Sequence, residues 1–348
     1  MKLTLGIETS CDDTSVALVN QDGFVCGMKS QNQDEVHAPF GGVIPELACR
    51  NHTSRLLPLL DQLLCETGTK WQDISGIAVT SKPGLIGALL VGVTTAKSLA
   101  YLHNVPLIGI NHLEGHLHAP MLKSNTYSPP ENFDYPFVGL CVSGGHTSLY
   151  FVKGLGSYEL LGRTLDDAAG EAFDKFGKIL GLGYPAGHLV DKKAKGGNPK
   201  AYDFPRAMLK KGNLDFSFSG LKTAGSLRIE KTIGKAAPHS DANIVHDLCA
   251  SYQEAIVSVL IEKLRRALHI KKVKRVVITG GVSANSRLRL LAAEWALREG
   301  LTLAVPPLEF CTDNAAMIAY VGMKRLARGE KSNLKLAAES FMKISELS

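Results

Sequence analysis

Two histidines four residues apart, His112 and His116, offer the clearest chemistry in this sequence. Side chains at positions i and i+4 of a helix lie on one face, so the two imidazoles can bind one metal ion. Glu114 lies between them and points away from that face, which prevents it from acting as the base of a His-Glu-x-x-His zinc peptidase. The spacing therefore predicts a metal ion that serves as a Lewis acid or holds a substrate.

Asp313 is the best candidate for a third metal ligand. Its surroundings, residues 312–315, also suit a helix start, where Thr312 or Asp313 would be the N-cap by default. The histidine pair follows the last strand predicted in the first half of the chain, and Asp313 follows the last strand predicted in the second half. We therefore expect His112, His116 and Asp313 to meet across a cleft between two lobes.

An internal repeat predicts how these residues are positioned. The segments Glu8–Val19 and Cys141–Val152 align without a gap, each reading as a strand, a tight turn after a serine, and a second strand. Each half then continues as helix, strand, helix and strand. The first half has these elements at 44–64, 76–80, 85–102 and 106–110, and the second has them at 246–268, 275–279, 285–298 and 301–305.

Alternating strands and helices indicate an α/β protein with mostly parallel sheets. Two duplicated lobes that each begin with a hairpin are typical of the actin-like ATPase fold of sugar kinases and heat-shock chaperones, which has a central cleft between its lobes. We expect residues 1–110 to form the first lobe, with 327–348 packing back on it, and 111–326 to form the second.

The two hairpin turns differ in chemistry. Ser143-Gly144-Gly145 offers a hydroxyl and open backbone N–H groups, which suit a phosphate or carboxylate oxygen. Cys11-Asp12-Asp13 would repel phosphate, and its carboxylates imply a nearby cation, amine or hydroxyl group. Asp174 could reach a ribose hydroxyl, whereas the glycine turn at 280–285 is a weak signal alone. The sequence has no Walker A motif.

Composition indicates a soluble, cytoplasmic enzyme without a membrane partner. The 348 residues carry a net charge of +6, the first residues are too short an apolar run for a signal peptide, and the 85–102 segment is too short to span a bilayer. Basic runs in the second half are either solvated faces or a site for a polyanion such as RNA. These runs are Lys192–Lys195, Lys210-Lys211, Arg265-Arg266 and Lys271–Arg275.

Seven motifs in order make the chain resemble the bacterial tRNA threonylcarbamoyladenosine transferase (TsaD, or YgjD) family, once described as glycoprotein endopeptidases. The resemblance extends from Gly6 to about Gly322. The motifs are Ile7–Asp12, Gly41–Ala48, Asn111–His116, Val142–Thr147, Gly170–Lys175, Asp215–Lys222 and Gly280–Asn285.

The resemblance implies transfer of a threonylcarbamoyl group from threonylcarbamoyl-adenylate to the N6 amine of the adenosine 3′ of the tRNA anticodon. It implies that His112, His116 and Asp313 hold one divalent metal ion, with Fe²⁺ favoured and Zn²⁺ possible. It further implies a set of donor-binding residues. Cys141, Val142, Ser143, Gly144 and Gly145 would contact the donor, and Asp174, Gly187, Asp191 and Asn285 would hold its adenylate portion.

The donor is already activated, so the reaction needs orientation and charge stabilisation more than a nucleophilic side chain. Asp12 is a candidate for orienting or deprotonating the attacking amine. The 183–188 segment departs from the family's usual Tyr-Pro-Gly-Gly-Pro, which leaves the Gly187 contact open. The resemblance also implies a TsaB-like paralogue and a TsaE-like ATPase as partners. An actin-fold ATPase or kinase, a metallopeptidase and a non-enzymatic scaffold are the competing interpretations.

Overall fold

The computed structural model describes residues 2–209, 212–234 and 242–341, and its contacts divide the chain into two compact units. The first unit runs to Glu131 and resumes at Pro306, and the second comprises Asn132–Val305. The predicted changes of lobe, at 110/111 and 326/327, differ from these bounds. The predicted basic pair Lys210-Lys211 lies outside the described residues.

Backbone hydrogen bonds explain why the first unit extends beyond residue 110. Lys123 N–H donates to Gly23 O over 2.9 Å, and Val25 N–H donates to Lys123 O over 2.8 Å. These bonds hold the segment after the histidine pair to the edge strand of the first sheet. The segment therefore belongs to the first unit.

The elements are named here in chain order. The strands are β1 (Leu3–Glu8), β2 (Thr14–Asn20), β3 (Val25–Gln31), β4 (Ile74–Lys82), β5 (Leu107–Asn111), β6 (Phe137–Val142), β7 (Thr147–Gly154), β8 (Ser157–Arg163), β9 (Arg275–Thr279) and β10 (Thr302–Ala304). The helices are α1 (Asp34–His37), α2 (Pro45–Thr67), α3 (Ile86–His103), α4 (His112–His118), α5 (Ala169–Ile179), α6 (Gly187–Ala194), α7 (Ser219–Ile233), α8 (Ala242–Lys271), α9 (Ser286–Glu299) and α10 (Ala315–Ala327).

The first unit is built on a sheet of order β3-β2-β1-β4-β5, in which β1 pairs antiparallel with β2 and parallel with β4. Every residue of β1 is buried, as expected of a central strand covered on both faces. Helix α10 contacts β1, β2 and β4. A Cβ atom at Gly6 would lie 2.1 Å from Ala315 O, so the absence of a side chain at Gly6 is what allows the start of α10 to lie directly on β1.

The second unit is built on a sheet of order β10-β9-β6-β7-β8, with β6 antiparallel to β7 and parallel to β9. Its core lies between this sheet and the helices that pack on it, chiefly the long helix α8. Phe176 of α5 stacks on Tyr252 of α8, with ring centroids 3.7 Å apart. Both rings are buried, which fixes α5 against α8.

The two sheets have matching topology, as the predicted repeat requires. Each begins with three antiparallel strands, and two parallel strands are then added beside the first strand of the hairpin. The aligned hairpins are β1–β2, which pairs Glu8 with Ser15, and β6–β7, which pairs Val142 with Thr147. The predicted α/β fold with an internal duplication is therefore present in the structure.

Two helices are long and apolar enough to cross a membrane by length and composition. They are α3, in which 33% of the most apolar window is buried, and α8, in which 61% is buried. Helix α3 has the 18 residues predicted for the 85–102 segment, and by this criterion that length does not exclude a membrane span. Both helices pack on the sheets of their units, and the core helix of a soluble protein meets the same criterion, so these helices are weak evidence for a membrane.

Candidate active site

The end of β5 and the start of α4 place the histidine pair. Asn111 is the N-cap of α4, and its side-chain oxygen accepts hydrogen bonds from Leu113 N at 2.9 Å and Glu114 N at 3.3 Å. The helix therefore begins at His112 and presents His116 one turn later on the same face. The two rings meet edge to face, with centroids 4.6 Å apart and planes at 86°.

Asp313 completes this cluster, as predicted from the sequence. Its Oδ1 atom lies 3.0 Å from His116 Nε2 and 3.4 Å from His112 Nε2. The N-cap of α10 is Asn314, whose side chain accepts a hydrogen bond from Met317 N at 3.0 Å. Asp313 therefore does not cap the helix, and its carboxylate is available to the histidines.

All three side chains lie within the first unit, and the expectation that Asp313 would come from the opposite lobe was wrong. The chain returns to the first unit at Pro306, before Asp313 is reached. The close packing of α10 on β1 then brings its N-terminus beside α4. The position of Asp313 in the repeat does not indicate which unit α10 packs on.

A buried carboxylate orients His112. His112 Nδ1 lies 3.1 Å from both Glu8 Oε2 and Ser10 Oγ. Glu8 is fully buried and also accepts hydrogen bonds of 2.6 Å from Ser10 N and from Thr80 Oγ1. In the neutral imidazole, a carboxylate on Nδ1 keeps the ring proton there, so that Nε2, which faces Asp313, is the atom that can bind a metal.

The charges in the cluster shift the pKa values of its members. Burial lowers the pKa of His112, but the carboxylates of Asp313 and Glu8 outweigh it and raise that pKa well above the usual value. Burial raises the pKa of Asp313, but the two histidines hold it well below its usual value. The pKa of His116 is lowered, chiefly by burial. The carboxylate is thus ionised and beside both imidazoles.

These residues fit a divalent metal ion. Their potential ligand atoms, one from each side chain, lie within 4.8 Å of one another, and two imidazole nitrogens with one carboxylate oxygen form a donor set that leaves positions open for substrate. The Glu8–His112 contact is the arrangement by which metal-binding histidines are usually oriented. His116 Nδ1 is buried and, among the described residues, has no hydrogen-bond partner.

Glu114 has a structural role. Its carboxylate is buried and forms an ion pair of 2.8 Å with Arg325 of α10. It therefore contacts the helix that carries the Asp313 segment and does not face the histidine cluster, which agrees with the sequence-based argument against a peptidase base.

The turn between β1 and β2 places acidic groups close to the cluster. Burial and the charge of Asp313 raise the pKa of Asp12, and the same two causes raise the pKa of Asp13 well above its usual value. The pKa of the Cys11 thiol is also raised, first by burial and then by Asp12. Cys11 is therefore a neutral thiol, while Asp12 is a stronger base than an exposed aspartate.

The turn is held in place by His52, which the sequence did not indicate as a functional residue. Its Nε2 atom lies 2.9 Å from Cys11 O, and its Nδ1 atom lies 2.8 Å from Thr14 Oγ1. Glu8 and Ser10 belong to the Ile7–Asp12 motif, but the sequence did not predict their contact with His112. Glu8 ends β1 and Ser10 lies in the predicted turn that follows, and this position is the sequence feature that could have indicated the contact.

In the second unit, the turn after Ser143 is accessible, whereas the end of the strand before it is buried. Cys141 and Val142 are fully buried on β6, so their side chains are inaccessible on both faces of the sheet. Ser143 N–H donates to His146 O over 2.7 Å, and His146 N–H donates to Ser143 Oγ over 3.1 Å. A Cβ atom at Gly144 or Gly145 would meet nothing within 4 Å. The turn thus offers accessible backbone atoms.

The other predicted donor residues lie at the starts of α6 and α9, or bond to these starts, in the second unit. Asp174 Oδ1 accepts hydrogen bonds of 2.8 Å from both Ala186 N and Gly187 N, which fixes the start of α6. Asp191, one turn later on α6, accepts a 2.7 Å hydrogen bond from Ser286 Oγ. Ser286 follows Asn285, the N-cap of α9. Asp174 therefore holds Gly187, which lies inside the altered 183–188 segment.

Comparison with known proteins decides the family of this chain. The sequence model of the TsaD family, described as tRNA N6-adenosine threonylcarbamoyltransferase, matches residues 24–320. The chain belongs to this family. It is 56% identical over 332 residues to a tRNA N6-adenosine threonylcarbamoyltransferase of Bdellovibrio bacteriovorus, covering 95% of each chain. A protein of the same name from Anaeromyxobacter dehalogenans is 50% identical over 340 residues, covering 97% of this chain and 98% of that one.

Solved structures agree on the fold. Component A of (R)-2-hydroxyglutaryl-CoA dehydratase from Acidaminococcus fermentans matches with a TM-score of 0.54 and 15% identity, over 94% of this chain and all of that one. HypF of T. kodakarensis matches with a TM-score of 0.58 and 13% identity, over 94% of this chain and 48% of HypF. These likenesses, with the two matching sheets, identify the two-lobed actin-like α/β fold.

Proposed function

We propose that this transferase moves the threonylcarbamoyl group of threonylcarbamoyl-adenylate to the N6 amine of the adenosine at tRNA position 37, next to the anticodon, and releases AMP. The tRNAs would be those that read codons beginning with A. The identity of about one half to relatives of this name over nearly the whole chain supports the reaction. The observation that carries the site assignment is the convergence of His112, His116 and Asp313.

His112, His116 and Asp313 would hold one divalent ion, with Fe²⁺ favoured and Zn²⁺ possible. When bound, such an ion supplies a Lewis acid that can polarise a donor oxygen. The chain's own contribution is to orient and charge the ligands, and metal binding requires loss of the Nε2 proton that the raised pKa of His112 favours. Glu8 holds the His112 proton on Nδ1, and the two histidines keep Asp313 ionised.

The bond changes are simple. The N6 nitrogen of the adenosine forms a bond to the carbamoyl carbon, the bond from that carbon to the phosphate oxygen breaks, and AMP leaves with the electron pair. One proton must leave N6. Asp12 is proposed to accept it, because burial and the Asp313 charge raise the pKa of Asp12 and make it a better base.

The second unit is proposed to bind the donor. The open turn formed by Ser143, Gly144 and Gly145 offers backbone N–H groups for anionic oxygens. Cys141 and Val142 would contribute only main-chain atoms, since their side chains are buried. Asp174, Gly187, Asp191 and Asn285 would form the adenylate side of the site, where their hydrogen bonds already order the starts of α6 and α9.

Partners and location are also proposals. A TsaB-like paralogue and a TsaE-like ATPase would act with the chain in the cytoplasm, with tRNA as the acceptor. The packed pair of helices α2 and α3 exposes Leu57, Ile86 and Leu90, each about half exposed. Such apolar side chains on two adjacent helices suit a protein partner. Cys49 Sγ, 3.4 Å from Gly87 O, shows how closely the two helices approach.

The test is mass spectrometry of tRNA after incubation with the donor and the proposed partners. We expect the wild-type protein to add threonylcarbamoyl to the tRNA and His112→Ala to lose at least 100-fold in rate. His103→Ala is the matched control, because His103 lies at the end of α3 and stacks on Trp71 outside the cluster. Full modification by His112→Ala would refute the site assignment, and proteolysis or ADP release by the wild type would favour the peptidase or kinase alternative.

A further inference from the structure

The second unit has a cavity of about 810 Å³ that the proposed reaction does not use. It lies where the C-terminal end of α8 meets the segment leading into β9, with one wall from α9. Its size is within the range of ligand sites in proteins. Its walls include Arg265, His269, Lys272, Lys274, Trp295 and Leu301.

The cavity lies at the opposite end of the parallel strands from the proposed donor site. Lys272 and Lys274 precede β9, whereas the glycine turn at 280 follows it. The five residues of β9 separate the two ends by about 16 Å at roughly 3.3 Å per residue. A ligand in the cavity would therefore not compete with the donor for the turn at Ser143.

The rim of the cavity is strongly cationic. It carries Arg265, Arg266, His269, Lys272 and Lys274, and Glu299 is the one acidic side chain that lines it among the described residues. Glu262 pairs with Arg265 and Arg266 at 2.9 Å and 2.8 Å. Lys272 and Lys274 are exposed and have no ion pair within the described part of the chain. Two lysine charges are thus available to a ligand.

The floor of the cavity is apolar. Leu214, Leu268, Trp295 and Leu301 line it, and a further apolar lining residue, Ile270, is 52% exposed and accessible to a ligand. An apolar floor inside a cationic rim suits a nucleotide, whose base can lie on apolar side chains while its phosphate contacts the rim. A carboxylate-rich peptide would use the rim but would leave this floor uncovered.

We propose that this surface, the Lys272/Lys274 cavity, binds nucleotides of the tRNA substrate away from the reacting adenosine. The inference rests on the proposed function, because tRNA is the polyanion that such an enzyme must hold. Unstacked nucleotides of RNA can present a base and its phosphates together, which matches the floor and the rim. The cavity would then contribute to tRNA affinity and not to the chemical step.

The test compares Lys272→Ala/Lys274→Ala with the control Lys200→Ala/Lys335→Ala, which removes two exposed lysines elsewhere. Dissociation constants for tRNA are measured between 50 and 300 mM salt for the enzyme with its proposed partners. Each lost phosphate contact with single-stranded nucleotides lowers the slope of log affinity against log salt by about 0.7. We expect a slope smaller by about 1.4 and binding roughly 10- to 30-fold weaker at 150 mM salt, with little change in the control.

Steady-state kinetics separates this inference from the proposed function. We expect a higher KM for tRNA, with kcat and the KM for donor unchanged, and an unchanged melting temperature. Suppose that the wild type modifies tRNA, but the Lys272→Ala/Lys274→Ala variant has the same salt slope and the same KM for tRNA as the control. This result would overturn the cavity assignment and leave the proposed reaction standing. If the wild type does not modify tRNA but binds it with a salt slope about 1.4 larger than that of Lys272→Ala/Lys274→Ala, the reaction is overturned and the cavity assignment stands.

Discussion

Replacing Glu8 by glutamine should impair metal binding without touching a ligand. The Glu8 carboxylate accepts hydrogen bonds from Ser10 N and Thr80 Oγ1 at 2.6 Å and faces His112 Nδ1 at 3.1 Å. In Glu8→Gln, one side-chain oxygen can still accept from Ser10 N. The amide NH₂ then faces Thr80 and His112, both of which must act as acceptors.

This change would reverse the tautomer of His112. An NH₂ group facing Nδ1 requires a lone pair there, so the ring proton moves to Nε2, the atom 3.4 Å from Asp313 Oδ1. A protonated Nε2 cannot bind a metal. Loss of such an orienting carboxylate typically costs 10- to 100-fold in metal affinity, which corresponds to about 1.4–2.8 kcal/mol.

The assay is competition for Zn²⁺ against a chromophoric chelator, which does not depend on turnover. Glu66→Gln is the control, because Glu66 is half exposed and pairs with Lys29. Ser10→Ala should have a smaller effect than Glu8→Gln, since a hydroxyl can donate or accept and does not fix the tautomer. If Glu8→Gln is folded and binds Zn²⁺ as tightly as the wild type, the tautomer argument is refuted.

Four further perturbations follow from other contacts. Asp313→Asn should lower Zn²⁺ affinity at least 100-fold, measured by the same competition. Arg325→Ala should cost about 3–5 kcal/mol of unfolding free energy in urea, because it removes the guanidinium from the buried Glu114 carboxylate. Gly6→Ala should cost roughly 1–3 kcal/mol and also weaken Zn²⁺ binding, because its Cβ would displace the start of α10. Partial burial raises the pKa of Asp166, but hydrogen bonds from Ser217, Phe218 and Ser219 outweigh it and lower that pKa. The ionised carboxylate should therefore stabilise the fold above its unfolded-state pKa, and this stabilisation should be lost as pH falls through its folded-state pKa. Asp166→Asn should flatten this part of the plot of stability against pH. Unchanged stability in Arg325→Ala or Gly6→Ala, or an unchanged acid limb in Asp166→Asn, would contradict the corresponding contact.

The sequence allowed the elements and the fold class to be predicted because their signals are local. Strand β9 was predicted with its observed bounds, and helix α3 was predicted to within one residue at each end. The aligned hairpins showed the duplication, and the i, i+4 spacing placed both histidines on one face of α4. Each of these inferences needs only the residues of one short segment.

Long-range packing was the part that the sequence did not reveal. A shift of one residue in the start of α10 decides whether Asp313 is its N-cap, and in the structure Asn314 takes that role. Helix α10 can pack on the first unit because Gly6, more than 300 residues earlier, has no side chain and leaves room for the backbone of the helix. The Glu8 contact with His112 likewise spans 104 positions. No local pattern encodes these contacts.

The division of the first unit between the two ends of the chain sets when the metal centre can form during synthesis. His116 and Asp313 are 197 positions apart, so a ribosome adding about 5–20 residues per second would complete Asp313 roughly 10–40 s after His116. The whole second unit is synthesised in between. A nascent chain that has not yet reached Asp313 therefore carries two histidines without their carboxylate, and metal loading becomes a late event that follows synthesis of the whole second unit.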